Sequence, residues 1–145
     1  MPSPFQTRQI ARQIGGPTYN PTNITASKVL TSSDDNQIWN VTHGSGFTID
    51  LPKMSTISAG WNATFNHQVA GTNLVTIQCN AADDGKMFGF IVDINATSGK
   101  IATAEDEMNF IATAVACDRI YCEYDGLNWY VFGQSGADGG ITATT

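Results

Sequence analysis

Residues 119–133, RIYCEYDGLNWYVFG, read as two short aromatic strands around a tight turn. Asp125-Gly126 supplies the turn, because glycine takes positive φ without steric cost and the pair is flanked by alternating apolar residues. In the second strand Trp129 and Val131 fall on one face, and Tyr130 and Phe132 on the other. Both faces are apolar, so the strand expects cover on both sides, as a central strand or a subunit contact would have.

Upstream, short strands and turn signals alternate in the same way. KVLTS from residue 28 is followed by Asp34-Asp35-Asn36 and then QIWNV. GFTIDLP alternates Phe47, Ile49 and Leu51 and stops at Pro52, which cannot continue a ladder. GWNATFN alternates Trp61, Ala63 and Phe65, and NLVTIQC alternates Val75, Ile77 and Cys79. KMFGFIVDI is apolar on both faces, like the closing hairpin. TAEDEMNFIATAV predicts a loop followed by a strand through Phe110, Ile111, Thr113 and Val115. Seven or eight strands at this spacing predict an all-β, single-domain β-sandwich or jelly-roll-like body over residues 28–133. No repeat of fixed period is visible.

Residues 1–27 predict an N-terminal arm, extended or with a short helix. Ser3 is placed to cap, Pro4 to open and Gly15-Gly16-Pro17 to stop that helix. The arm offers Phe5, Ile10 and Ile14 as apolar anchors, with Arg8 and Arg12 a helical turn apart. That combination suits docking into an apolar groove rimmed by carboxylates. Residues 134–145 predict a polar, glycine-rich tail lying loosely on the surface.

The 145 residues are 41% hydrophobic but only 14% charged, against about 25% charged in a typical domain. Thr, Asn, Ser and Gly replace the missing charge, which favours turn-rich β structure over helical bundles. The net charge of −6 is uneven: residues 1–33 carry Arg8, Arg12 and Lys28 and no acid, leaving −9 on the rest. An acidic body argues against nucleic acid as the main partner, since phosphate binding needs clustered Lys and Arg. The longest strongly apolar run, MFGFIV, is too short to span a bilayer, and the N-terminus lacks the apolar core of a signal peptide. Cys117 and Cys122 would point to opposite faces of one strand, so buried free thiols formed in a reducing cytoplasm are expected. The four Asn-x-Thr sequons read as by-products of Asn/Thr-rich strands.

No catalytic or metal-ligand spacing emerges. His43 and His67 have no partner at ligand spacing, and HGSG matches no nucleophile motif closely. Asp34-Asp35 and Asp83-Asp84 lack EF-hand spacing and read as turn residues. No cofactor is expected. Trp39, Trp61 and Trp129 lie on three different strands; alternation sends Trp61 and Trp129 to core or interface, whereas a sugar platform would expose such rings together.

The succession Leu51-Pro52, Ala59-Gly60-Trp61, Val75-Thr76-Ile77 and Asp125-Gly126-x-x-Trp129-Tyr130-Val131 resembles a β module of tailed-bacteriophage virion proteins. The resemblance covers about residues 28–133. Such modules occur in tail fibres and spikes and in small head decoration (cement) proteins. For one module plus an arm, the resemblance implies a non-enzymatic decoration protein, made in the host bacterial cytoplasm. It would sit as a homotrimer on the outer capsid surface, against the major capsid protein, with no membrane partner. The runner-up is a receptor- or glycan-binding module of a tail appendage. On the leading reading Phe5, Arg8, Ile10, Arg12 and Ile14 dock on the capsid or a neighbour. Trp61, Phe88, Phe90, Trp129, Tyr130 and Phe132 form the subunit interface or core.

Overall fold

The computed structural model describes residues 21–42, 45–68, 74–94 and 99–145. Among these residues twelve strands form: β1 Thr22–Ile24, β2 Lys28–Val29, β3 Gln37–Val41, β4 Phe47–Asp50, β5 Asn62–His67 and β6 Val75–Gln78, followed by β7 Met87–Asp93, β8 Lys100–Glu105, β9 Glu107–Phe110, β10 Arg119–Tyr124, β11 Trp129–Ser135 and β12 Ile141–Thr144. They build a two-layer, all-β sandwich. The larger sheet runs β1-β3-β5-β10-β11-β7-β8 and the smaller β12-β9-β6-β4-β2.

The first half of the chain is a stack of coils. Strands β1 to β6 alternate between the sheets, so β1, β3 and β5 pair in parallel in one layer, and β2, β4 and β6 in the other. Parallel neighbours need a long crossover, and here each crossover passes through the opposite sheet. Each return to the larger sheet uses the same corner. A buried residue (Leu30, Leu51 or Cys79) leaves the strand, and a 3-10 turn follows at Ser32–Asp34, Met54–Thr56 or Ala81–Asp83. A residue with positive φ then redirects the chain: Asn36 at 58°, Gly60 at 92° and Gly85 at 69°. Asparagine and glycine serve because the left-handed region penalises other side chains.

Backbone bonds stack the corners. The N–H groups of Leu30, Leu51 and Cys79 donate to the carbonyls of Asp50, Gln78 and Asp106, each at 2.8 Å. The acidic doublets add a second tie: Asp35 accepts from the Asn62 N–H at 3.0 Å, and Asp83 from the Met54 N–H at 2.8 Å. Asp34 also closes a capping box with Thr31. These carboxylates satisfy corner N–H groups that strands cannot reach, which is why they sit there.

The second half closes the sandwich. β10 and β11 form the expected antiparallel hairpin, with Tyr124 opposite Trp129. In its loop Asp125 accepts from the N–H groups of Asn128 and Leu127, which hold its carboxyl below the ordinary value of 3.8. The core between the sheets holds Trp39, Phe65, Ile77, Met108, Phe110, Ile120 and Trp129, all at most 5% exposed. Burial of each large apolar side chain stabilises the fold by about 1.5–3 kcal/mol.

Three boundaries differ from the sequence expectation. Residues 22–24, assigned to the arm, form β1 and pair with β3. Residues 134–145 are no loose tail: β11 runs to Ser135, and β12 adds to the smaller sheet with Ile141 fully buried opposite Phe110. TAEDEMNFIATAV contains the end of β8 and all of β9, which change sheets at Asp106, and the chain turns after Phe110 where a strand was expected.

Candidate functional site

Three adjacent strands of the larger sheet set up the site. β11 pairs in parallel with β7, placing Tyr130 beside Phe88 and Phe132 beside Phe90. β8 runs antiparallel on the far side, with Ile101 beside Phe90. Alternation buries Met87, Ile91, Ala102, Trp129 and Val131 in the core and turns Phe88, Phe90, Val92, Ile101, Tyr130 and Phe132 to the opposite face. Phe90 and Phe132 meet edge to face at 5.0 Å. Tyr130 is 53% exposed, Phe90 52% and Ile101 78%.

The rest of this outer face has another chemistry. β10 and β5 present Arg119, Tyr121, Glu123, Asn62, Thr64 and Asn66. Arg119 donates to Asn66 at 2.9 Å and Tyr121 to Glu123 at 2.7 Å. Partial burial and then the Glu123 carboxylate push the Tyr121 phenol up. In the smaller sheet the polar side chains also pair among themselves, although Thr76 and Asn109 are buried: Thr76 donates to Asn109 at 2.7 Å, and Asn109 to Thr144 at 3.2 Å. One third of one sheet is thus an aromatic and aliphatic surface beside self-satisfied polar ones. Contiguous exposed apolar surface of this kind is a candidate association site.

The residues predicted as interface or core separate cleanly. Trp61 and Trp129 lie in the core, edge to face at 5.4 Å, while Phe88, Phe90, Tyr130 and Phe132 lie on the outer face. Val92 extended the predicted set through the same alternation. Ile101 was missed, because one isoleucine in KIATAE gives little strand signal. Trp39 is buried too, at 5%, so the three tryptophans form no exposed platform. Phe5, Arg8, Ile10, Arg12 and Ile14, the predicted docking arm, lie outside the described residues, as does His43.

The polar groups inside serve the architecture. His67 stacks on Phe110 with Nδ1 3.3 Å from the Val115 carbonyl. Asp118 accepts from Ser135 Oγ at 2.8 Å, from the Gly136 N–H at 2.8 Å and from the Val115 N–H at 3.0 Å. The Asp118 contacts tie the β9–β10 loop to the end of β11. Among the described residues no three His, Cys, Asp or Glu side chains gather as metal ligands. All three cysteines are free. Burial pushes the Cys79 thiol up to about 12 and raises that of Cys122 as well. Cys117, expected to be buried, is exposed in a turn before β10.

Two shallow grooves lie among the described residues. One, of about 330 Å³, lies between the first two corners and is lined by Ser32, Asp35, Thr56 and Ser58. The other, of about 310 Å³, lies beside Cys117, Arg119 and Gln134. No family model, curated protein or solved structure matches this chain.

Proposed function

We propose that this chain is a non-enzymatic structural protein of a bacteriophage virion. In this reading it is a head decoration protein that binds the outer capsid surface as a homotrimer and stabilises the shell. The observation that carries this reading is the uncharged aromatic face of Phe88, Phe90, Val92, Ile101, Tyr130 and Phe132 on the larger sheet. Water-exposed surface of that kind stabilises an assembly when another protein covers it. The stacked corners supply a stiff body, which keeps the entropy lost on association low. The resemblance of residues 28–133 to virion modules supplies the setting. Repetition of the contact around a symmetric shell would let each one be modest.

The glycan-binding alternative draws no support from the tryptophans, which are all buried. Two measurements test the proposal. Cryo-electron microscopy of the source virion should place density for this chain on the head. Purified protein added to particles lacking it should bind to saturation and raise the temperature at which they release their genome. Density on the tail alone, or no binding to heads, would overturn it.

A further inference from the structure

We infer that the apolar third of the larger sheet's outer face is covered by a second copy of this chain. The inference rests on the assembly reading above and names the partner of that face.

Charge is the first argument. The chain carries −6 overall, so copies repel one another wherever acids face acids. Phe88, Phe90, Val92, Ile101, Tyr130 and Phe132 include no charged side chain, and Lys100 at their border is paired with Asp93 at 3.3 Å. Glu123, beside Tyr130 on the same face, accepts from the Tyr121 hydroxyl, so this is where two acidic copies can approach with the fewest acids left unpaired. A partner of different chemistry would be recognised through charges or an array of hydrogen-bonding groups, and here the Tyr130 hydroxyl is the only side-chain polar group among the six.

Area is the second argument. Phe90, Val92, Ile101 and Tyr130 leave on the order of 400 Å² of side chain in water. Two such faces, with the partly covered Phe88 and Phe132, approach the roughly 1,000 Å² that a specific interface needs. Aromatic side chains at the centre of a patch are also the ones that dominate interface energies.

The strand edges give the third argument, by not competing. β1 spans three residues and β2 two, too short to template another chain. At the other edge, β8 begins with Lys100, and Ala104 sits at a φ of 57° beside a register shift. Lysines and bulges are what blunt an edge against pairing. The fourth edge, β12, is four residues long, so three of the four edges resist pairing and the apolar face offers the other route to association.

Sedimentation of the full chain across a micromolar concentration series tests this. The expected result is a defined oligomer. In a Phe90→Thr/Ile101→Thr variant the dissociation constant should rise by more than about tenfold. A Thr64→Asp control on the polar half of the same face should leave it unchanged. A wild-type chain that stays monomeric throughout the series overturns the inference, and so does an oligomer equally stable in the folded double variant. Should that variant fail to fold, the single Ile101→Thr change, at a side chain 78% exposed, gives the same readout. The two readings separate cleanly. A monomer that binds particles keeps the decoration role and loses the self-contact, whereas an oligomer that ignores particles does the reverse.

Discussion

Trp61 and Trp129 meet edge to face in the core, but their indole N–H groups fare differently. Trp61 Nε1 donates to the Thr31 carbonyl at 3.2 Å, tying the start of β5 to the first corner. Trp129 Nε1 is buried without a partner. Replacing either ring by phenylalanine leaves a comparable void. At Trp61 the change also removes a hydrogen bond worth about 1 kcal/mol, while at Trp129 it removes an unpaired donor whose burial costs about 1–3 kcal/mol. Trp129→Phe should therefore destabilise the protein by about 2–4 kcal/mol less than Trp61→Phe. Urea denaturation of the two variants checks this, and equal losses or the opposite order would refute it. Period-two alternation made the burial of both rings legible in the sequence. The state of each N–H was not legible, because it depends on which distant carbonyl the fold brings near.

At the scale of elements, the strands were easier to read than their order in space. QIWNV, GWNATFN and KMFGFIVDI announce themselves by alternation and bulk. The stacked coils do not, because their lengths vary. Thr22 lies opposite Trp39 and Trp39 opposite Phe65, 17 and then 26 residues on. In the smaller sheet the steps from Lys28 to Ile49 and from Ile49 to Ile77 are 21 and 28. Nothing repeats at a fixed period, although the corners are built alike. The C-terminal strand was hidden for another reason. QSGADGGITATT holds one large apolar residue, and β12 needs only that one, because Gly133 leaves room for Ile141 and Met108 to close on the larger sheet. Ile141→Ala should cost about 3 kcal/mol, like other fully buried isoleucines. A loose tail would tolerate it within about 0.5 kcal/mol. Thermal denaturation distinguishes the two.

For the whole molecule, the proposed association combines a face with an arm. The apolar face was partly legible, since KMFGFIVDI and WYVF are apolar on both sides and one side suffices for a core. Its breadth was not, because Ile101 joins it only through the β7–β8 register. The arm is a sequence proposal. Residues 1–20 hold Phe5, Ile10 and Ile14, Arg8 and Arg12 and no acid, ahead of an acidic body. β1 begins at Thr22, so removing residues 1–20 takes away no described strand. The truncated chain should therefore fold, keep the proposed self-contact of the outer face, and bind more weakly to virus particles stripped of the native protein. Arginines that meet shell carboxylates would also make attachment of the full chain fall with added salt, because exposed ion pairs are screened within about 10 Å at 0.1 M salt. Co-sedimentation with particles at low and high salt measures both effects. Undiminished binding by the truncated chain would show that the arm is not the anchor and shift attachment to the body. Loss of folding would instead make residues 1–20 part of the sandwich.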